Sequence, residues 1–487
     1  MIFNSIDFVI FFIVVFSLYY FVLKEKTKLQ NVLLLVASYV FYAWADWKIL
    51  PLLAVTTACF YSLGIAVFAA ETENRKSLYT ISGVILGIGT LLYFKYFNFF
   101  ISSFKDLFET FGLQTNLHTF KIIMPIGISF YTFRLISYIV DIQRGKIDPT
   151  RDITAFAAYV AFFPCILAGP IDRPATLIPQ LQSKRVFDYS FATDGLKQIL
   201  WGLFKKAVIA NNCAIYVDQV FNDFHTRSGS TLLLAAILYS FQMYADFSGY
   251  SDMAIGVAKI LGFRITKNFD FPFFAQNIAE FWRKWHISLT SWLTDYVFMP
   301  LNVKWRDWGN RGMILAIVIN FVLCGLWHGD NWTFVLWGFY HGLLFIPLIL
   351  SGAMYKKYKI ITYKWGFPKP VTLFNILLTF GLVTVGLALF RSPDVSSAFE
   401  YLSRMFSKSL FSTDIGQYGA GGRSGLIECC LFIIGFIGVE WAGKKNNYAI
   451  ADLGLKKRWQ RYLVYYTLIL FILLFSGEQQ QFIYFQF

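Results

Sequence analysis

Apolar runs of membrane-crossing length recur along this whole chain, and no other feature limits its fold so strongly, because a helix needs about 20 such residues to cross a hydrocarbon core about 30 Å thick. The clearest are Phe3–Leu23, Leu29–Trp44, Ile49–Ala70, Leu78–Tyr96, Ile122–Ile142 and Ile153–Ala168, then Leu232–Leu261, Ile314–Cys324, Thr333–Leu350, Leu373–Phe390, Leu426–Trp441 and Tyr462–Phe475. With 57% hydrophobic and 15% charged residues the chain carries more apolar surface than a soluble domain can bury. In lipid every backbone polar group must be satisfied internally, which leaves helices as the spanning element. The expectation is an all-α, polytopic integral membrane bundle of about eleven crossings, with re-entrant or interfacial pieces that hydropathy does not separate from true spans.

The first run has no basic leader, exceeds a signal-peptide core and continues into Lys24, Lys26 and Lys28, so it reads as a retained helix. Those lysines, then Arg75 and Lys76, then Arg144, Lys146 and Arg151, mark alternate connections, as cytoplasmic loops do. This places the N-terminus outside. The net charge of +14 is scattered over helix ends and short loops, which fits topology and anionic lipid and excludes a nucleic-acid reader. The six cysteines have no metal-ligand spacing and mostly lie in apolar segments, so neither a metal nor a disulfide framework is indicated. Cys324 precedes His328 by one helical turn, which admits a thiol–imidazole pair but fits a small packing residue better.

Repeats and low-complexity tracts are not evident, and the long polar interruptions are Gln180–Asp194, Lys356–Lys369 and Thr413–Arg423, so residues 1–487 read as one membrane domain. Pro164, Gly169, Pro170, Pro174 and Pro179 punctuate FFPCILAGPIDRPATLIPQL and predict a helix broken at or near membrane depth, where irregular backbone must be sheltered.

Ionisable groups inside such segments carry the functional signal, since their burial is costly and they mark pathways, relays or reaction sites. In YADFSGYSDMAIG, Asp246, Ser248, Ser251 and Asp252 interrupt a helix-length apolar run. One reading pairs the carboxylates with Arg264, Arg283 or Arg134, or has them cap a broken helix; the other lines a tunnel with them. His286 sits in FWRKWHISLTSW beside Trp285 and cations, where an interfacial hydrogen-bonding role and a catalytic one are both open. His328, in LCGLWHGDNW, has drier surroundings, with Trp327 before it, Asp330 and Asn331 after it, and Gly325 and Gly329 to admit a substrate. His341 reads as tunnel-lining or packing; His118 and His225 fall in polar stretches.

These blocks carry a resemblance. DFSGYSDMAIG, FWRKWHISLTSWLTDYVFMPL and GLWHGDNWTFVLWGFYHG, with PIGISFYTF, YIVDIQRGK and FFPCILAGPI upstream and FRSPDVSSA downstream, resemble the membrane-bound O-acyltransferase superfamily, alginate O-acetyltransferase-like branch. The core motifs cover residues 121–345. The resemblance implies a helical bundle with a central tunnel or opposing funnels, in which His328 is the catalytic histidine and His286 the second polar residue. Asp246, Ser248, Trp285, Trp327, Asp330, Asn331 and His341 are candidate substrate or tunnel residues. Asp330 departs from the branch's usual small residue at this place, which raises an effect on His328 protonation.

The implied reaction moves a short acyl group, acetyl, from acetyl-CoA or another cytoplasmic thioester to hydroxyls of an extracellular or periplasmic polysaccharide. Transfer is direct or through an SGNH-type partner protein, in the bacterial inner membrane, with no tightly bound cofactor. D-alanyl or peptidoglycan acyl transfer is the alternative within the class. A glycan or lipid flippase, lacking covalent transfer, is the rival outside it, and the spacing of His328 and His341 adds a weak haem reading.

Overall fold

The computed structural model describes residues 1–113, 119–120, 122, 124–364, 366–412 and 422–485. His118 and residues 413–421 of the last polar interruption lie outside the described residues. Among those described, regular structure is helical apart from one antiparallel bridge between Thr362 and Pro368. The chain divides into two compact units, residues 1–196 with 254–266, and residues 197–253 with 267–487.

The first unit begins with α1 (Ile6–Ser17), α2 (Thr27–Ala43), α3 (Leu50–Ala69), α4 (Glu73–Leu91) and α5 (Phe97–Thr110), followed by α6 (Ile128–Gln143), α7 (Ile153–Ala161), α8 (Phe163–Ile166) and α9 (Pro174–Gln182). Short polar side chains start several of these helices by accepting otherwise orphaned N–H groups. Ser5 accepts from Phe8, Thr72 from Arg75, and Asp152 from Thr154 and Ala155. α3, α4 and α6 pack together, and α2 packs on α7.

The proline-rich break is present, so the run Ile153–Ala168 is not one straight crossing. α7 lasts nine residues, a four-residue turn follows, and irregular backbone continues to Pro174 at the start of α9. Buried polar side chains satisfy that backbone. Arg134, fully buried, donates from Nη2 to Pro170 O at 3.0 Å and from Nη1 to Tyr159 and Val160 O at 3.4 Å. Asp172 accepts the Thr266 N–H at 2.8 Å and hydroxyl at 2.6 Å. Gly127, at φ +77°, passes this loop so closely that a Cβ would lie 2.4 Å from Ile166 O.

The second unit takes α10 (Tyr189–Phe204) from Lys197 onward, then α11 (Asn211–Asn222) and most of α12 (Gly229–Ile260). After it come α13 (Ile278–Lys284), α14 (Ile287–Leu293), α15 (Met299–Lys304), α16 (Asn310–His328), α17 (Trp332–Leu344), α18 (Ile346–Leu350), α19 (Pro370–Arg391), α20 (Val395–Met405), α21 (Gly422–Gly443) and α22 (Arg458–Phe475). α12 runs unbroken through Asp246 and Asp252, so these carboxylates do not cap a broken helix.

Two helix pairs approach at glycine. A Cβ on Gly202 would lie 2.6 Å from Gly249 O, and one on Gly249 would lie 2.8 Å from Gly202 O, which seats α10 directly on α12. Gly325 and Gly338 do the same for α16 and α17, where a Cβ would lie 2.1 Å from Phe334 O and 2.2 Å from Phe321 O. Gly325 therefore serves helix packing and leaves no opening for a substrate. The space beside Gly329 is likewise filled, by the Phe334 ring.

Among the described residues six helices are long and apolar enough to cross a membrane: Trp47–Ala69, Glu73–Thr110, Asn310–His328, Trp332–Leu350, Pro370–Arg391 and Ser424–Gly443. Several further runs form helices of other kinds. Ile6–Val22 is apolar but shorter, and α12 carries Asp246, Asp252 and Lys259 along its length.

Candidate active site

The two histidines singled out in the sequence come together in the second unit. His328 is the last residue of α16, because Gly329 is extended and Asn331 starts α17 by accepting the Thr333 N–H. His286 lies between α13 and α14 in a left-handed conformation, φ +44°, which is strained for a residue with a Cβ. That bend turns its ring inward, and both histidines are buried.

An aromatic cage joins them. His328 meets Trp327, Trp337, Phe390 and Tyr484 edge-on or tilted, at centroid distances of 5.1, 5.1, 5.2 and 5.5 Å. His286 meets Phe247 at 4.6 Å, Trp327 at 5.6 Å and Tyr484 at 6.3 Å. Trp327 and Tyr484 thus touch both imidazoles. The Trp337 indole N–H beside His328 is buried with no hydrogen-bond partner among the described residues.

Hydrogen bonding fixes the His286 tautomer. Asn268 Oδ1 accepts from the Ser288 N–H at 3.2 Å and the Ser288 hydroxyl at 2.7 Å, while its amide group donates to Ser251 at 3.3 Å. The backbone N–H can only donate, so the Asn268 oxygen faces it and also accepts from His286 Nδ1 at 3.2 Å. Nε2 is then the basic nitrogen, buried and without a hydrogen-bond partner among the described residues. Burial disfavours the imidazolium and pushes the His286 pKa down to about 3.

Next to the cage lies a buried ionic cluster. The π-helical segment Lys205–Ala210 follows α10 and presents two successive lysines to α12. Lys205 pairs with Asp252 at 2.6 Å and Lys206 with Asp246 at 2.8 Å, so the partners are lysines and not Arg264, Arg283 or Arg134. The arginines are engaged elsewhere, Arg283 on Met354 O and Arg134 on its loop carbonyls. Ser248 accepts from Lys205 at 2.8 Å, and Gln198 donates to Asp252 at 2.7 Å.

Four other candidates sit apart from the imidazoles. Trp285 is packed among Tyr244, Phe269, Phe273 and Phe281. His341 accepts the Trp282 indole N–H on Nδ1 at 3.2 Å, inside a cluster with Trp337. Asn331 donates to Pro393 O at 2.7 Å besides starting α17, and Asp330 is exposed.

Sequence reading passed over Trp337 and Asn268, which touch the two imidazoles, and also the two lysines and Tyr484. Lys205 and Lys206 look like an ordinary interfacial pair, although two adjacent lysines inside WGLFKKAVIA signal buried counter-charges. Tyr484 comes from QFIYF, too short for a span, and its signal was an aromatic run returning after a polar stretch.

Among curated proteins the chain is similar to the probable alginate O-acetylase AlgI of Pseudomonas aeruginosa, 38% identical over 90% of this chain and 82% of that protein. It is similar to the peptidoglycan O-acetyltransferase of Helicobacter pylori, 32% identical over 83% of this chain and 80% of that protein. The teichoic acid D-alanyltransferase of Bacillus subtilis is 30% identical over 55% of this chain and 69% of its own length. The model of the family described as MBOAT, membrane-bound O-acyltransferase, matches residues 39–389 and so takes in His286, His328 and the ionic cluster. With its apolar helices and this match across most of its length, the chain is a multi-pass membrane protein of the membrane-bound O-acyltransferase family.

Proposed function

We propose that the protein is an O-acetyltransferase of the bacterial inner membrane that moves acetyl from cytoplasmic acetyl-CoA to hydroxyls of an extracellular or periplasmic polysaccharide. The observation that carries this reading is the convergence of His286 and His328 on one cage closed by Trp327 and Tyr484. The alginate and peptidoglycan O-acetylating relatives support the acetyl group and the glycan acceptor.

In this mechanism His328 is the general base. It takes the proton of the acceptor hydroxyl as the oxygen attacks the thioester carbonyl, and returns a proton to the coenzyme A thiolate as the C–S bond breaks. Such proton transfer contributes about 10²–10⁴-fold. The Trp337 N–H, unpartnered beside His328, is the donor available to the oxyanion of the tetrahedral intermediate. His286 with its proton on Nδ1 cannot donate to the thioester carbonyl from Nε2. It instead accepts an amide N–H of the donor's pantetheine arm and orients the thioester. A separate SGNH-type protein outside the membrane completes delivery to the glycan.

The test is transfer of radiolabelled acetyl from acetyl-CoA to envelope glycan in membranes holding matched amounts of wild type or His328→Ala, with the native partner protein present. Label in wild type alone supports the reading. Equal label in both, or none in wild type, overturns it and turns attention to a carrier-protein donor or a flippase.

A further inference from the structure

We propose that the buried Lys206–Asp246 ion pair is a latch that positions the segment 477–484 in the site, so that both residues act on the reaction through Tyr484. The proposal rests on the reading of the histidine cage as the acyl-transfer site only for its consequence in activity.

The pair divides its bonding capacity in an unusual way. One Asp246 oxygen meets Lys206 Nζ at 2.8 Å, and the other accepts the backbone N–H of Ile483 at 2.9 Å. Lys206 Nζ in turn donates to the backbone carbonyl of Gln480 at 3.1 Å. Each charge therefore holds its partner and one backbone group of the same short segment. Lys206 and Asp246 are 5% and 3% exposed, so their charged ends lie out of water, the bond to Ile483 is buried and the bond to Gln480 part-buried.

Two contacts brace the flanks. The Gly477 N–H donates to Ala207 O at 3.1 Å, and Gly477 passes so close to Asn211 and Asn212 that a Cβ would lie 3.0 Å from their backbone. Phe482 stacks on Tyr250 at 4.6 Å. With residues 477–483 fixed at these points, the next residue carries its ring to His328 and His286.

The neighbouring pair supplies a control. In the same helix contact Lys205 is buried and Asp252 half-buried, but among the described residues their remaining bonds go to Ser248 and Gln198, none to the segment. Breaking either pair disturbs a buried charge, whereas only one of the two holds the segment.

Amide hydrogen exchange on detergent-purified full-length protein reads the latch without any acyl donor, so failure of the acetyl-transfer reading would not be mistaken for failure of this one. Ile483→Pro deletes the N–H that Asp246 accepts at the first residue of a helical turn, a position that tolerates proline, at the cost of replacing the buried Ile483 side chain. Asp246→Ala and Ile483→Pro should each speed exchange of residues 477–485 by about tenfold or more, the value of a hydrogen bond to a charged group. The double variant should exchange no faster than Asp246→Ala. Asp246→Asn, which keeps an acceptor oxygen, should recover part of the protection, and Asp252→Ala should leave the segment protected. Acetyl transfer should fall with loss of protection, in kcat more than in KM. Unchanged exchange in Asp246→Ala, additive acceleration in the double variant, or equal acceleration in Asp252→Ala would overturn the proposal.

Discussion

Arg134 with Asp172 in the first unit and Lys206 with Asp246 in the second are the same kinds of residue in equally buried places, yet they do different work. Arg134 and Asp172 spend their hydrogen bonds on irregular backbone and on Thr266, holding still a loop that prolines have broken. Lys206 and Asp246 bond each other and also reach a separate segment that ends between two histidines. A buried charge in a membrane protein thus marks function when its spare bonding capacity leads to the reacting groups, and marks architecture when that capacity ends on the backbone around it.

The largest effect that sharpens this contrast comes from the cage. His328→Ala should abolish acetyl transfer while the protein still elutes as a folded species in detergent, because the truncation removes the proposed base and its ring contacts to Trp337 and Phe390 but leaves the close Gly325–Gly338 approach of α16 and α17 in place. Transfer at wild-type rate would end the assignment. Trp337→Phe keeps an aromatic ring, smaller than the indole, and deletes the N–H, so kcat should drop about 10²-fold, the usual value of one oxyanion donor, with KM little changed. A matching rise in KM would assign Trp337 to binding instead.

A smaller effect is expected at His286. Asparagine tolerates the left-handed backbone there, so His286→Asn should retain the fold and lose the Nε2 acceptor. KM for acetyl-CoA should rise about tenfold, about 1.4 kcal/mol, with kcat changed much less. A kcat collapse at unchanged KM would make His286 the base.

On the architectural side, Asp172→Ala leaves the Thr266 N–H and hydroxyl unsatisfied and should destabilise by about 1–3 kcal/mol, read as a lower melting temperature. Activity per folded molecule should stay at the wild-type level. If activity falls with stability unchanged, the distinction between the two buried pairs breaks down.

Much of this was legible in the sequence. Apolar runs predict the helices, prolines predict the break after α7, and the isolated histidines single out the two imidazoles that the fold brings into one aromatic cage. The partners of Asp246 and Asp252 were not legible. Arginine is the usual guess for a buried carboxylate, and only the Gly202–Gly249 approach brings the π-helical lysines within reach. Tyr484 lies 198 residues beyond His286 in sequence, and no periodicity links a short aromatic run to a distant cage.

The smallest effect concerns Asp330, where sequence reasoning expected a carboxylate two residues from the base to move its titration. Adjacency in sequence is not adjacency in space here. α16 ends at His328, the backbone turns extended at Gly329, and Asp330 faces outward while the imidazole stays among Trp327, Trp337 and Phe390. An exposed charge is screened by water and salt, and its coupling to a buried group falls below about 1 kcal/mol. Asp330→Asn should therefore leave the acidic limb of the pH–rate profile within about 0.3 pH units of wild type at physiological ionic strength. A displacement of a full unit would mean that the carboxylate turns inward during turnover.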